Sequence, residues 1–158
     1  LRRSGATFDA VAGGETAGIP FAAYLAQALD LPMLYVRKKA KGYGIASKVE
    51  GRVPQGGRVL LVEDLITDGG SKLGFVDALR EAGGEVRDAL VLFDRQQGGA
   101  DILSSHQVCL HSVTDRQTVL EVAEESGLLA AEDRSAVEAY FHDSAAWHQE
   151  RGFAYQRG

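Results

Sequence analysis

The sequence has a single cysteine, Cys109, among its 158 residues. A disulfide framework and a multi-cysteine zinc site are therefore excluded, and the chain suits a reducing compartment. Positive charge is not in excess: 17 Lys and Arg face 22 Asp and Glu, a net charge of −5. General binders of nucleic acid or of anionic membranes carry the opposite balance, so any polyanion must be held locally. No apolar run nears the roughly 18 residues of a membrane span. The four histidines, His106, His111, His142 and His148, form no H-x-x-x-H or H-E-x-x-H pair, and a metal site built from protein ligands alone is not expected. The chain opens Leu1-Arg2-Arg3 without a methionine, as a piece of a longer protein would. No secretory or transit pattern precedes the first apolar segment, and the expected location is cytoplasmic.

What is present is ordinary in bulk, with 45% hydrophobic and 25% charged residues and no internal repeat. Glycine is the exception, at 19 of 158 residues, about 12% against roughly 7% in average proteins. Charge is also uneven. From Asp115 onward lie nine of the 22 acidic residues and only four of the 17 basic ones, so the preceding chain is balanced.

Short apolar runs at Phe8–Ala12, Met33–Val36, Val59–Val62 and Ala89–Phe93, with a fifth at Val108–Val113, are continuous rather than alternating. That pattern fits strands of a parallel sheet covered on both faces. Ile19–Leu29 and Lys72–Ala82 between them have helical spacing, and the second stops at Gly83-Gly84. Strand, helix, strand at this spacing predicts βαβ units and an open α/β sheet. A single domain over 1–158 is expected, with a core at 1–114 and a helical segment at 115–158. In that segment Thr114-Asp115-Arg116-Gln117 reads as a capping box opening a helix through about Glu125, and a second helix is predicted over Ala131–Gln149. Trp147 belongs to a core or an interface, and Cys109 is expected as a small buried hydrophobe. Lys38–Gly57 has no apolar pattern and is predicted as a long loop or hairpin, a kind of segment that is often functional.

Four segments carry chemistry. In the first, a buried strand runs into Glu63-Asp64-Leu65-Ile66-Thr67-Asp68-Gly69-Gly70-Ser71 and then a helix. A glycine turn at a helix start offers amides to a phosphate. It is neither a Walker A loop nor a dinucleotide fingerprint. Two acids ahead of the turn would repel a bare phosphate and instead suit sugar hydroxyls, so the ligand implied is a ribose 5-phosphate. The second, Arg37 to Lys48, holds five cations and no anion, and a loop of this kind can close over a polyanion. The third is the glycine-dense turn Gly13-Gly14-Glu15-Thr16-Ala17-Gly18, whose amides could meet the other end of that ligand. The fourth is Asp94-Arg95-Gln96-Gln97-Gly98-Gly99 at a strand end, where a guanidinium fork suits a planar carboxylate.

The first segment resembles the phosphoribosyl pyrophosphate (PRPP) motif of the type I phosphoribosyltransferases. The resemblance implies their α/β fold, a central mainly parallel sheet flanked by helices, with C-terminal helices. It implies that Glu63 and Asp64 hold the ribose 2′ and 3′ hydroxyls and that Leu65, Ile66, Thr67, Asp68, Gly69, Gly70 and Ser71 form the PRPP turn around the 5-phosphate. Asp68 stands where the family usually has a small neutral residue, so its carboxylate must point away from the phosphate. Arg37-Lys38, then Lys41, Tyr43 and Gly44, resemble the catalytic loop of the orotate phosphoribosyltransferases. This implies that Arg37, Lys38 and Lys41 contact pyrophosphate, in part across a homodimer. Gly14, Glu15, Thr16, Ala17 and Gly18 resemble the pyrophosphate loop, with Ala17 where many relatives have lysine. Asp94-Arg95 resembles the orotate-side segment, with Arg95 on the acidic pyrimidine and Thr67 nearby.

The catalytic residues so implied are Lys41, Arg37 and Asp64, and the cofactor is Mg²⁺ held mainly through ligand oxygens rather than protein ligands. The reaction implied is orotate plus PRPP giving orotidine 5′-phosphate and pyrophosphate, with no nucleic acid or membrane partner. A transferase for another base, and a PRPP-sensing regulator without catalysis, remain open alternatives. The family normally has several dozen further N-terminal residues forming a hood over the base, and the sequence starts beyond them.

Overall fold

The computed structural model of the chain describes residues 5–39 and 48–154. Its strands are β1 (Ala10–Gly14), β2 (Met33–Val36), β3 (Val49–Glu50), β4 (Arg58–Ile66), β5 (Glu85–Asp94) and β6 (Cys109–Asp115), in the order β3-β2-β1-β4-β5-β6. All neighbours are parallel except β2 and β3. The helices are α1 (Gly18–Leu29), α2 (Gly70–Glu81), α3 (Gly99–Ser105), α4 (Arg116–Glu125), α5 (Ala131–His142) and α6 (Ser144–Glu150). The chain divides into two compact units, Leu1–Asp115 and Arg116–Gly158. Among the described residues, no helix is long and apolar enough to cross a membrane.

The continuous apolar runs have the expected cause. Successive β4 side chains leave opposite faces of the sheet. Val59 and Leu61 join Phe75, Val76 and Leu79 of α2 and Leu103 of α3, while Leu60 and Val62 pack with Ala22 and Ala26 of α1. Each large side chain so buried contributes about 1.5–3 kcal/mol. α2 stops where the glycine pair predicts: Gly83 has φ +97°, and the Gly84 N–H donates to Leu79 O at 3.0 Å.

β1 connects outward to β2 on one side, while β4, β5 and β6 extend the other way. The carboxyl ends of β1 and β4 therefore flank the point where the order reverses, the usual place for a ligand crevice in an open α/β sheet.

Several boundaries differ from the sequence reading. β1 runs through Gly13 and Gly14, which pair with Tyr35 and Val36 of β2. The segment predicted as a long loop or hairpin contains β3, a two-residue strand antiparallel to β2, as the hairpin alternative has it. Thr114 is not a helix cap but a strand residue paired with Phe93, because the β5–β6 ladder outlasts the apolar run. Cys109 is exposed, since it opens β6 at the edge of the sheet.

In the second unit the long predicted helix is two. Asp143 lies outside helical geometry at φ −146° and ψ 88°, and its Oδ1 accepts the Ala146 N–H at 2.9 Å to cap α6. Tyr140, Trp147, His148 and Phe153 gather into one aromatic cluster there.

Candidate functional site

At the end of β4 the chain turns through Thr67, Asp68 and Gly69 into α2. Gly69 is in the left-handed region at φ +83°, a conformation glycine adopts without cost. Its carbonyl accepts the Lys72 and Leu73 N–H groups at 3.0 and 3.1 Å. The back of the turn rests on α3: the Gly99 N–H donates to Thr67 O at 3.0 Å, and a Cβ on Gly99 would come within 2.6 Å of Ile66 Cγ1. Asp68 is exposed and its Oδ1 accepts the Gly70 N–H at 3.1 Å, which holds the carboxylate at the start of α2. Ile66 is fully buried and Leu65 partly so, which leaves Ile66 only its backbone to offer a ligand.

The two acids have different surroundings. Asp64 is half-buried, while Glu63 is 4% exposed and its Oε2 meets Lys72 Nζ at 2.7 Å. Burial raises the Glu63 carboxyl above its usual pKa, the Lys72 ammonium opposes that rise, and the neighbouring Asp64 carboxylate adds to it. Glu63 Oε1 is enclosed without a hydrogen-bond partner. Around it lie Gly14 and Gly18, where an added Cβ on either would collide with that oxygen. Glu63 is thus enclosed between the β1 turn and Lys72 of α2.

In the β1 turn, the Glu15–Thr16 peptide bond is cis, and Thr16 and Ala17 are exposed. Gly13 approaches Gly18 and Ile19 so closely that a Cβ would lie 2.8 Å from Gly18 O. The Glu15 N–H donates to Val36 O at 2.9 Å, and Glu15 Oε2 accepts the Lys38 N–H at 2.8 Å. This turn is therefore tied to the root of the cationic segment.

Arg37 closes the base of that segment, its N–H donating to Lys48 O at 2.7 Å. Its guanidinium donates to Glu50 Oε1 at 2.9 Å and to the Tyr35 hydroxyl at 3.2 Å, and the Tyr35 contact is the main reason its pKa is raised. Arg37, Lys38 and Lys48 line a pocket of about 210 Å³ together with Ser71, Gly74 and Phe75 of α2. Three cations thus stand beside the start of α2. Lys41, Gly42, Tyr43 and Gly44 lie outside the described residues. A larger open cleft of about 770 Å³ lies at the other end of the strands, around Arg80, Gly84 and Arg87.

The fourth segment joins the site through the ladder. Ile66 pairs with Asp94 across β4 and β5, which sets Thr67 abreast of Arg95, and the Arg95 N–H donates to Ile66 O at 3.0 Å. Asp94 Oδ1 accepts the Gln96 N–H at 2.7 Å and holds Gln96 at φ +53°, fixing the turn that carries Arg95.

Sequence reasoning gave no individual role to Lys72, Glu50 or Gly99. Lys72 follows Ser71 directly in the first turn of α2, and Glu50 is the first anion after the cationic run, so each had a signal. Gly99 had only the Gly98-Gly99 pair.

Residues 1–123 match the phosphoribosyl transferase domain family. An orotate phosphoribosyltransferase of Roseobacter denitrificans is 49% identical over 144 residues, covering 90% of this chain and 64% of the relative. The crystal structure of orotate phosphoribosyltransferase from Aeropyrum pernix superposes with a TM-score of 0.68 at 41% identity, over 78% of this chain and 67% of that one. Orotate phosphoribosyltransferase of Mycobacterium tuberculosis H37Rv in complex with PRPP superposes with a TM-score of 0.61 at 31% identity, over 70% of this chain and 64% of that one. The chain spans just under two thirds (64%, 64% and 63%) of the curated relatives it matches first. By family match, sequence and fold together, the chain belongs to the phosphoribosyl transferase domain family, and within it to the orotate phosphoribosyltransferases.

Proposed function

We propose that the chain transfers the phosphoribosyl group of PRPP to orotate, giving orotidine 5′-phosphate and pyrophosphate in pyrimidine nucleotide synthesis. The observation that carries this reading is the β4–β5 register, which sets the phosphate turn at Thr67 beside the guanidinium-bearing Arg95. One turn suits the 5-phosphate, and the other suits the carboxylate of an acidic pyrimidine. The mycobacterial relative that superposes on this chain was solved with PRPP, which supports the same ligand here.

In this reading Thr67 to Ser71 anchor the 5-phosphate, and that binding energy positions the reacting carbon. Asp64 is the acid open to the ribose hydroxyls, and Glu63 reaches them only by giving up Lys72. The bond from C1 to pyrophosphate breaks with positive charge growing on the ribose and negative charge on the leaving group. Asp64 lies on the side of the first, and Arg37, Lys38 and Lys41 meet the second, with Arg37 exchanging Glu50 for pyrophosphate oxygens. Gly14 to Gly18 line the pyrophosphate side, and Arg95 with Thr67 orients orotate.

Mg²⁺ fits this donor set: Asp64 offers an accessible hard oxygen, and PRPP and water supply the remainder. When bound, the ion offsets charge on the departing pyrophosphate. A homodimer sharing the cationic loops, in the cytoplasm, completes the reading.

Release of pyrophosphate from PRPP is the test. It is expected only with both orotate and Mg²⁺ present, and release with adenine or guanine instead overturns the substrate assignment. Lys41→Ala is expected to lower turnover far more than it weakens PRPP binding, and equal turnover removes Lys41 from the chemistry.

A further inference from the structure

Three potential metal ligands from distant parts of the sequence meet at the opposite end of the sheet from the phosphate turn. Asp88 of β5 pairs across the ladder with Cys109, the first residue of β6, and His111 follows two residues later on the same face. Six residues along β5 separate Asp88 from Asp94 beside the turn, about 20 Å of strand. A carboxylate oxygen of Asp88, the Cys109 Sγ and a ring nitrogen of His111 all lie within 4.8 Å of one another. His111 Nε2 is 2.9 Å from Asp88 Oδ1, and Arg58 Nη2 is 2.9 Å from Asp88 Oδ2. Asp88 is buried, His111 half-buried, and Cys109 open to solvent. The sequence reading expected no such site, because its spacing patterns look along one segment and these ligands come from two strands.

We propose that Asp88 Oδ1, Cys109 Sγ and His111 Nε2 form a binding site for a zinc-like divalent cation, with water in the fourth position. Tetrahedral ligands at 2.0–2.3 Å from an ion stand about 3.3–3.8 Å apart, so a rotation of the exposed Cys109 side chain, with His111 Nε2 and Asp88 Oδ1 moving from 2.9 Å to about 3.3 Å apart, closes the set. Thiolate, imidazole and carboxylate together select a borderline ion such as Zn²⁺ over Mg²⁺, which requires six oxygens in octahedral geometry. The site is therefore chemically distinct from the Mg²⁺ of the proposed transfer reaction and does not depend on that reading. Arg58 holds Oδ2 and so turns Oδ1 toward the ion, the outer contact that metal-binding carboxylates commonly have. On binding, the sulfur–metal bond forms as the thiol proton leaves to solvent. The imidazole ligates as the neutral ring with its proton on Nδ1, giving up its hydrogen bond to Asp88.

Cobalt is the probe, because thiolate-bound Co²⁺ absorbs in the near ultraviolet and Cys109 is the chain's only cysteine. The full reduced chain, titrated with Co²⁺ in excess Mg²⁺, is expected to develop a thiolate-to-cobalt band that saturates at one equivalent and is displaced by Zn²⁺. Cys109→Ser is expected to abolish the band, and His111→Ala to weaken Co²⁺ binding at least fivefold. Both positions are reached by solvent, and unchanged circular dichroism checks that the fold persists. Absence of the band with millimolar Co²⁺, or a loss below fivefold in His111→Ala, overturns the site.

Discussion

The two glycine turns at the carboxyl edge of the sheet look alike in composition and are built for opposite ends. In the β1 turn glycine is required by space: Gly14 and Gly18 sit against the Glu63 carboxylate, and Gly13 against the backbone of Gly18 and Ile19. In the β4 turn it is required by conformation at Gly69, while Gly70 has open room, with only Asp68 Oδ1 near at 3.6 Å. The first turn is a wall packed around a buried ion pair, and the second leaves a helix start accessible to an anion. Glycine supplies close packing in one and exposed backbone in the other, so the first should fail by unfolding and the second by loss of ligand.

The deepest break is at the ion pair that the β1 turn encloses. Lys72 and Glu63 side chains are 12% and 5% exposed. Lys72→Met leaves a carboxylate buried without its cation, at an expected cost of about 3–5 kcal/mol in urea unfolding. Adding Glu63→Gln removes the stranded charge and should recover much of that loss. A single-variant cost below about 1 kcal/mol means that Glu63 finds water in solution, in conflict with its enclosure.

Gly18→Ala comes next. The new methyl would lie on Val62 O and the Glu63 carboxylate, and neither a strand carbonyl nor a side chain locked by Lys72 can step aside. A loss of about 1–3 kcal/mol is expected from overpacking. Unchanged stability shows that the two turns do not differ as described.

The same contrast explains what could be read in advance. The five apolar runs marked five of the strands because parallel strands covered on both faces need no alternation, and α1 and α2 followed from spacing. β1 was placed too early because glycine has low strand propensity, whereas here its lack of a side chain is what admits Glu63. β3 and α3 are two and seven residues long, too short for a period to show. Within the site, the residue types were legible and their pairings were not. Glu63-Asp64 reads as two equivalent acids, yet only one is enclosed, because α2 returns Lys72 to the strand it has just left. Arg37 reads as a free cation, yet the antiparallel return of β3 brings Glu50 against it.

Asp68 tests the open turn, with a smaller effect. Its carboxylate accepts the Gly70 N–H and so places a negative charge at the helix start that the 5-phosphate would approach. Asp68→Asn keeps an oxygen for that hydrogen bond and removes only the charge. A charge at a helix N-terminus counts for about 0.3–1 kcal/mol, so ribose 5-phosphate should bind roughly two- to fivefold more tightly, and the gain should shrink as salt screens it. Weaker binding by the variant shows that the carboxylate assists the phosphate instead. Gly70→Ala should do least. Its methyl meets open space at the first position of α2, where alanine is the better helix former, so stability is expected to stay within about 1 kcal/mol of the parent. Set beside Gly18→Ala, the same single methyl then separates the two turns: destructive where glycine makes room for Glu63, and tolerated where the chain leaves room for a ligand.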